Sequence, residues 1–349
     1  MTAERAVAPA ATPALPWPPL WPWLAPIARE ALAQRSVWPH ALLLHGPRGV
    51  GKHALGLHFA LALLCESPRA DGLACGKCAS CHYAEAGQHP DLVRLGLVEL
   101  DEEGEPVPVE VITIDRVRAL IDFVQLTSHR RRAKVAVIAP AERMNASAAN
   151  ALLKTIEEPP PGTYLILVSD QPRRVPATIL SRCRKLPVPL PPDEIAREWL
   201  AAQGVAQPEL ALAQAGGAPL IALERSDAAT QAERRVWLGA LAEPQRLPLL
   251  ALAARVEAGG RDERKARLAL AVDWVLAWTA DLARVAAGGA PSANPDFARP
   301  LAVLAGRVAP VALFRYHRSM LRQRSLLAHP LQPRAVAEAL LVDYRALFA

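Results

Sequence analysis

The sequence predicts an α/β domain with a doubly wound parallel sheet, followed by regions that are entirely helical. Short apolar runs typical of buried strands alternate with segments of helical periodicity up to about residue 190. A glycine-rich loop joins the first predicted strand to the first long helix. Strand signals end after Pro191, where Ala, Leu and Arg continue at helical spacing. A chain of 349 residues has room for two or three such domains.

The α/β domain is expected to begin with a loosely ordered lead-in, because residues 1–25 are rich in Ala and Pro. Its predicted helices span residues 24–34, 52–65, 113–126, 145–158 and 175–182, and its predicted strands span residues 41–44, 134–139, 164–169 and 185–188. The acidic stretch 99–108 contains Gly and Pro and predicts a surface hairpin or loop. These elements define a first domain over residues 1–190.

The rest of the sequence predicts two helical domains. Gly216 and Gly217 interrupt the first helical stretch, and residues 288–295 interrupt the second. We expect a small helical domain over residues 191–228 and a larger one over residues 229–349.

Composition gives only weak indications of partners and location. The net charge of +6 is compatible with a nucleic-acid partner but is spread thinly over the chain. The N-terminus has no basic segment followed by a proline-free apolar run, so we predict no signal peptide. Apolar stretches stop short of the ~20 residues that span a bilayer. We therefore expect a cytoplasmic protein, in which clustered cysteines favour metal ligation over disulfides.

Residues 46–53, GPRGVGKH, have the strand-to-helix context of a phosphate-binding loop. Small residues at Gly46, Gly49 and Gly51 would let backbone N–H groups converge on a phosphate, and Lys52 would add a positive charge. His53 stands where a Ser or Thr hydroxyl would bind Mg²⁺, and it has no such oxygen. The residues leave two alternatives open: a loop that binds ATP or ADP, and a loop kept for its shape.

The second half of an ATPase site is also incomplete. Hydrolysis needs carboxylates at the tip of a downstream strand, but the strand segment 135–138 ends in Ala139 and Pro140. Glu142 lies further on and is interpreted as a solvated charge. With His53, this second defect predicts that hydrolysis is lost.

Four cysteines predict a structural zinc site. Their spacing is C-x9-C-x2-C-x2-C, and the last three lie in a turn-rich segment; the set is Cys65, Cys75, Cys78 and Cys81. Thiolates on closely spaced turns suit tetrahedral Zn²⁺, whereas the alternative of bystander thiols gives no reason for the spacing. His82 is a less favoured ligand. Because four thiolates leave no open position for water, a zinc-dependent hydrolase is disfavoured.

Two groups of basic residues are candidate contacts with phosphate. Arg182, in the segment Ser181-Arg182-Cys183, lies near the predicted edge of the domain, where an arginine can reach the γ-phosphate of an adjacent subunit; an anonymous basic rim is the alternative. The run Arg130–Arg132 is interpreted as a solvated loop, with weak attraction to DNA as the alternative. Cys183 is expected to be a buried apolar residue.

Taken together, the segments PHALLLHGPRGVGK, KVAVIAPAERMN, NALLKTIEEPPPGTYLILVSD and ILSRC, with the cysteine insertion, resemble the clamp-loader branch of the AAA+ proteins over residues 17–190. The resemblance implies an AAA+ nucleotide-fold domain with a zinc module around residues 65–82, a small helical lid and an all-α collar for oligomerisation. It implies that the four cysteines bind zinc and that Arg182 is an arginine finger acting in trans.

The partners that the resemblance implies are the motor subunits gamma or tau, the delta subunit, the sliding clamp and primed DNA. His53, Ala139 and Pro140 depart from the motor pattern, and Gly216-Gly217-Ala218-Pro219 lacks the nucleotide-sensing arginine of motor subunits. These departures imply a stator, and any DNA-directed DNA polymerase activity would belong to the whole complex. The alternative is a working AAA+ ATPase, which would show Mg²⁺-dependent turnover by the isolated chain.

Overall fold

The computed structural model describes residues 17–34, 37–96, 98–100, 106–130, 132–327 and 332–349. Predictions that fall on residues 1–16, on 101–105 of the acidic stretch and on Arg131 lie outside the described residues. The chain forms two compact units, Met1–Ile195 and Ala196–Ala349. The further division of the helical part at residue 228 stays a prediction.

The first unit contains the predicted parallel sheet, which is confirmed. Five parallel strands lie in the order β2-β5-β6-β1-β7, and a separate antiparallel pair is formed by β3 and β4. The strands are β1 Ala41–His45, β2 Leu92–Leu95, β3 Val98–Leu100, β4 Pro106–Pro108, β5 Lys134–Ile138, β6 Thr163–Ser169 and β7 Arg184–Pro187. The sequence does not predict β2, because Arg94 interrupts its apolar residues and leaves no continuous apolar run.

Helices cover both faces of the sheet. They are α1 Ala25–Ala33, α2 Lys52–Leu64, α3 Ala79–Glu85, α4 Ile114–Gln125, α5 Ala146–Glu157 and α6 Ala177–Leu180. Successive strand residues point to opposite faces. One set, including Leu43, Ile138 and Leu165, forms a buried core with residues of α4 and α5. The sheet therefore lies between two helical layers, as the doubly wound prediction requires.

The opposite face packs against α2. A Cβ atom at Gly56, in the middle of that helix, would lie 3.3 Å from Ile166 and 3.4 Å from Leu44 and Val168. The missing side chain lets the helix approach the sheet closely, which accounts for a glycine where helix propensity disfavours it. The start of α2, where Lys52 lies, is thereby fixed against the carboxyl end of β1.

The second unit is entirely helical within the described residues. After α7 Asp193–Ala202 its helices are α8 Pro208–Gln214, α9 Pro219–Glu224, α10 Ala228–Leu241, α11 Leu249–Val256, α12 Arg261–Ala286, α13 Ala298–Ala305, α14 Pro310–Leu326 and α15 Pro333–Ala346. α12 is central and contacts α10, α11, α13, α14 and α15. Trp278 donates to the Tyr344 hydroxyl, which donates to the Leu241 carbonyl, both at 2.8 Å. This buried chain of hydrogen bonds joins three helices.

A smaller apolar cluster around Leu200, Leu212 and Ala222 is separate from the large core. Arg225 joins the two parts through an ion pair with Asp273 at 2.6 Å. Among the described residues, no helix is both long enough and apolar enough to cross a membrane.

Candidate functional site

The glycine-rich loop connects β1 to α2, as predicted. Two of its glycines lie where neighbouring atoms of the chain leave no room for a side chain. Gly46 has φ +154°, and a Cβ there would lie 2.1 Å from the Val188 carbonyl oxygen. Gly51 has φ +90°, and a Cβ there would lie 2.5 Å from the ring of Trp21. Neither position admits a side chain. The glycine pattern therefore follows from internal contacts and does not by itself require a bound phosphate.

Two tryptophans of the N-terminal segment pack on this loop. The Trp23 indole N–H donates to the Val50 carbonyl at 2.9 Å, and the Trp23 side chain is buried. Trp21 stacks on Trp23 with ring centroids 6.0 Å apart. The expectation of a loosely ordered lead-in is wrong for these residues, because the Trp23 ring is buried and the half-buried Trp21 ring packs beside it against the loop.

Lys52 is held inside the protein. Its ammonium nitrogen lies 2.6 Å from Asp170 Oδ1 and donates to the Pro47 carbonyl within the loop. The Lys52 side chain is only 2% exposed, whereas that of Asp170, just beyond β6, is 35% exposed. The Asp170 carboxylate thus pairs with the ammonium group that would otherwise contact a phosphate. A phosphate that bound Lys52 would have to displace the Asp170 carboxylate.

His53, next to Lys52, offers no substitute for the missing hydroxyl. Desolvation lowers the pKa of its imidazole, and the positive charge of Arg94 lowers it further. The ring is therefore neutral at neutral pH. A neutral imidazole supplies a nitrogen where Mg²⁺ prefers oxygen ligands; the loss of the metal-binding position stays a prediction.

The tip of β5 carries Ala139 and Pro140, with no carboxylate on either residue. Glu142 follows in a short 3-10 turn and accepts a hydrogen bond from the Asp170 backbone N–H at 3.1 Å. Its second oxygen is buried without a hydrogen-bond partner in the described part of the chain. The interpretation of Glu142 as a solvated charge is therefore wrong: it fixes the backbone of the residue that pairs with Lys52.

The structure brings the four predicted cysteines together at the end of α2 and the start of α3. Their sulfurs all lie within 4.8 Å of one another. The Sγ atoms are 3.9 Å apart for Cys65 and Cys78, 3.9 Å for Cys75 and Cys81, and 3.4 Å for Cys78 and Cys81. A tetrahedral ion with Zn–S bonds of about 2.3 Å needs sulfurs about 3.8 Å apart. The cluster thus has the size and donor set for a metal ion.

Backbone N–H groups around the cluster favour thiolate ligands. The N–H groups of Lys77 and Cys78 donate to Cys75 Sγ at 3.4 and 3.3 Å, and the Cys75 N–H donates to Cys65 Sγ at 3.3 Å. The Lys77 contact is the main cause that lowers the pKa of the Cys75 thiol to about 6. Burial raises the pKa of Cys81. Such N–H···S bonds orient ligands as the outer shell of a metal site does.

The basic run is tied to the cysteine segment. Arg130 Nε donates to Glu66 Oε1 at 3.0 Å, and Arg132 donates to the carbonyls of Cys65 and Glu66 at 2.8 and 2.6 Å. The backbone N–H of Arg130 donates to buried Asp91 at 3.0 Å. The interpretation of this run as a solvated loop missed these contacts. Through them Arg130 and Arg132 stabilise the backbone and side chains at Cys65 and Glu66.

Arg182 lies just after α6, at the surface. It pairs through Nε with Glu157 at the end of α5, and its Nη1 donates to the Thr178 carbonyl at 2.9 Å and to Ser181 Oγ at 3.3 Å. Its side chain is 37% exposed. Cys183 beside it is buried, as predicted, and burial raises the pKa of its thiol to about 11.

Sequence reasoning missed the acidic partners of this site. Asp170 pairs with Lys52, Glu66 with Arg130 and Glu157 with Arg182. Each partner is far from its cation in sequence, so no local spacing indicates the pairing. The one available signal was position: Asp170 and Lys52 both follow strands of one parallel sheet, whose carboxyl ends share an edge.

Comparison with known proteins gives a consistent picture. A family model described as "DNA polymerase III, delta subunit" matches residues 28–191. The DNA polymerase III subunit delta' of Pseudomonas aeruginosa is 43% identical over 207 residues, which cover 58% of this chain and 60% of that protein. The DNA polymerase III subunit delta' of Haemophilus influenzae is 33% identical over 270 residues, covering 75% of this chain and 76% of that protein.

Among solved structures, a DNA polymerase III gamma subunit-related protein from Thermotoga maritima matches with a TM-score of 0.41 and 18% identity, covering 93% of this chain and 99% of that one.

Proposed function

This chain belongs to the family of the DNA polymerase III subunit delta', and on that premise we propose that it is the stator of the bacterial sliding-clamp loader in DNA replication. It does not hydrolyse ATP itself. It presents Arg182 to the ATP site of a neighbouring motor subunit, gamma or tau, and so helps to load the clamp on primed DNA in the cytoplasm. Polymerase activity belongs to the holoenzyme.

The observation that carries this proposal is the contrast between Lys52 and Arg182. The cation that would serve the chain's own nucleotide is buried against Asp170, while the cation that would serve a neighbour's nucleotide is at the surface. An arginine supplied in trans stabilises charge on the transferring phosphoryl group and contributes about 10³-fold or more in rate. In this proposal Arg182 completes the ATP site of the neighbouring subunit.

Loss of hydrolysis is supported by three features at the glycine-rich loop. Ala139 and Pro140 supply no carboxylate to hold a metal or orient water, and neutral His53 supplies no hydroxyl. The pair of Lys52 and Asp170 neutralises the charge that would bind the terminal phosphates. Binding of ATP or ADP would require that pair to open, so we propose that the loop is closed to nucleotide in this chain.

The four cysteines would hold a structural Zn²⁺. Four thiolates complete its coordination shell, so the ion would link the end of α2 to the start of α3 without a position for a substrate. Cys78→Ser should release zinc and loosen this segment while the sheet stays folded. Metal content by mass spectrometry and hydrogen exchange test this, and one full zinc equivalent retained by the variant would contradict the ligand set.

Assembly would use the helical C-terminal part as a collar. α14 exposes Val311, Phe314 and Leu321 on one face of the helix, and this face is flanked by the arginines Arg315, Arg318 and Arg322. Exposed apolar side chains at helical spacing are typical of a surface that packs against another protein. The partners proposed for it are the delta and motor subunits, which makes the protein part of a hetero-oligomer.

The alternative is an active clamp-loader ATPase. The experiment that separates the two measures ATP hydrolysis by the purified chain alone, and then with motor subunits, delta, clamp and primed DNA. The stator predicts no turnover alone and a stimulated rate that requires this chain in the mixture. Robust Mg²⁺-dependent turnover by the isolated chain would overturn the proposal.

A further inference from the structure

We propose that Glu157 is a positioning residue, which orients the guanidinium of Arg182 toward the nucleotide of the neighbouring subunit. The inference rests on the proposed function, in which Arg182 acts in trans. Glu157 is the last residue of α5, and its carboxylate accepts from Arg182 Nε across the junction of two helices. No sequence spacing links the two residues.

The contacts of Arg182 come from two directions. Glu157 accepts from Nε, while the Thr178 carbonyl and Ser181 hydroxyl accept from Nη1. A planar group held at two nitrogens has its plane fixed. Within the part of the chain that the structure describes, Nη2 makes no hydrogen bond, so this nitrogen keeps its donors for a phosphate oxygen.

Glu157 is itself held by its helix. The N-cap residue of α5 is Asn145, whose side chain accepts from the Ala148 N–H at 2.8 Å, and the helix ends before three consecutive prolines, residues 159–161. The prolines restrict the backbone after the helix, and the cap fixes its start. A carboxylate on such a rigid element can orient Arg182 more reproducibly than one on a loop.

The pair contributes little to folding, which makes its function testable. Both side chains are partly exposed, and ion pairs in such positions contribute little to stability. The effect of the pair would instead appear in catalysis. A mobile arginine must lose side-chain entropy as the transition state forms, whereas an arginine held by Glu157 has already lost that entropy.

The test uses the reconstituted clamp loader with clamp and primed DNA. Glu157→Gln should lower kcat of the stimulated ATPase about tenfold and leave KM for ATP unchanged, because the finger acts on the transition state. Glu158→Gln is the matched control: it makes the same charge change one residue away, at an exposed side chain that makes no hydrogen bond or ion pair within the described residues. Glu157→Asp, which keeps the charge, should recover part of the rate.

A double-mutant cycle with Arg182→Ala separates positioning from a structural effect. If Glu157 acts through Arg182, Glu157→Gln should have no further effect once Arg182 is Ala. An unchanged or increased rate for Glu157→Gln, an equal loss for Glu158→Gln, or additive losses in the cycle would each overturn the inference. A normal rate for Arg182→Ala alone would instead remove the proposed finger, and with it the role of Glu157.

Discussion

The loop around Lys52 and the turn around Arg182 lie in the same α/β unit, and each pairs one cation with one carboxylate. They differ in exposure: the Lys52 side chain is 2% exposed, and that of Arg182 is 37% exposed. Lys52 also has a carbonyl acceptor within its own loop, and tryptophans pack against the backbone beside it. Contacts within the chain enclose the Lys52 side chain, whereas the Arg182 side chain is partly exposed to solvent.

This difference does not follow from the phosphate-loop motif itself. The lysine and glycines are present, but Asp170 forms an ion pair with Lys52, and Trp21 packs where a side chain at Gly51 would lie. The environment of the loop therefore depends on residues outside the motif. Substitutions on each side of the comparison should have unequal effects on catalysis and on folding.

Arg182→Ala should give the largest effect. It should reduce the clamp- and DNA-stimulated ATPase of the reconstituted loader about 10³-fold, because in the proposed function it removes a positive charge from the transition state of the neighbour's reaction. The isolated chain should fold and assemble normally, since the side chain is partly exposed. Steady-state hydrolysis measures the rate, and Arg173→Ala, another exposed arginine nearby, is the control. A stimulated rate like that of the wild type would contradict the role of Arg182 in the neighbour's ATP site.

The elements and motifs of both regions could be predicted from the sequence. Which of the two cations is buried and which is exposed could not. The strand at 41–44, the loop and the four cysteines were predictable because periodicity and short spacings are local properties. The pairing of Lys52 with Asp170 and the contact of Glu142 with Asp170 depend on strand order, which brings distant segments together. Local patterns do not encode such contacts.

Asp170→Asn should destabilise the closed region by about 1–3 kcal/mol, because a nearly fully buried ammonium loses its anion. Urea unfolding of the α/β unit measures the loss, and Asp122→Asn, at an exposed position of α4, is the control. If Asp170 takes the place of a phosphate, ATP should raise the Tm of this variant but not that of the wild type. Stabilisation of the wild-type chain by ATP would show that the loop is already open.

Lys52→Met should have the smallest effect, although it breaks the same ion pair. Methionine keeps most of the apolar packing, and the carboxylate left behind is 35% exposed and can be hydrated, so the free energy of unfolding should fall less than for Asp170→Asn. The stimulated ATPase of the reconstituted loader should stay within about twofold of wild type, because the proposed function assigns phosphoryl transfer to the neighbour's site. Arg182→Ala in the same assay provides the contrast. Complete loss of turnover in Lys52→Met would mean that Lys52 leaves Asp170 to bind a nucleotide of its own, and that the closed loop is one state of a working motor.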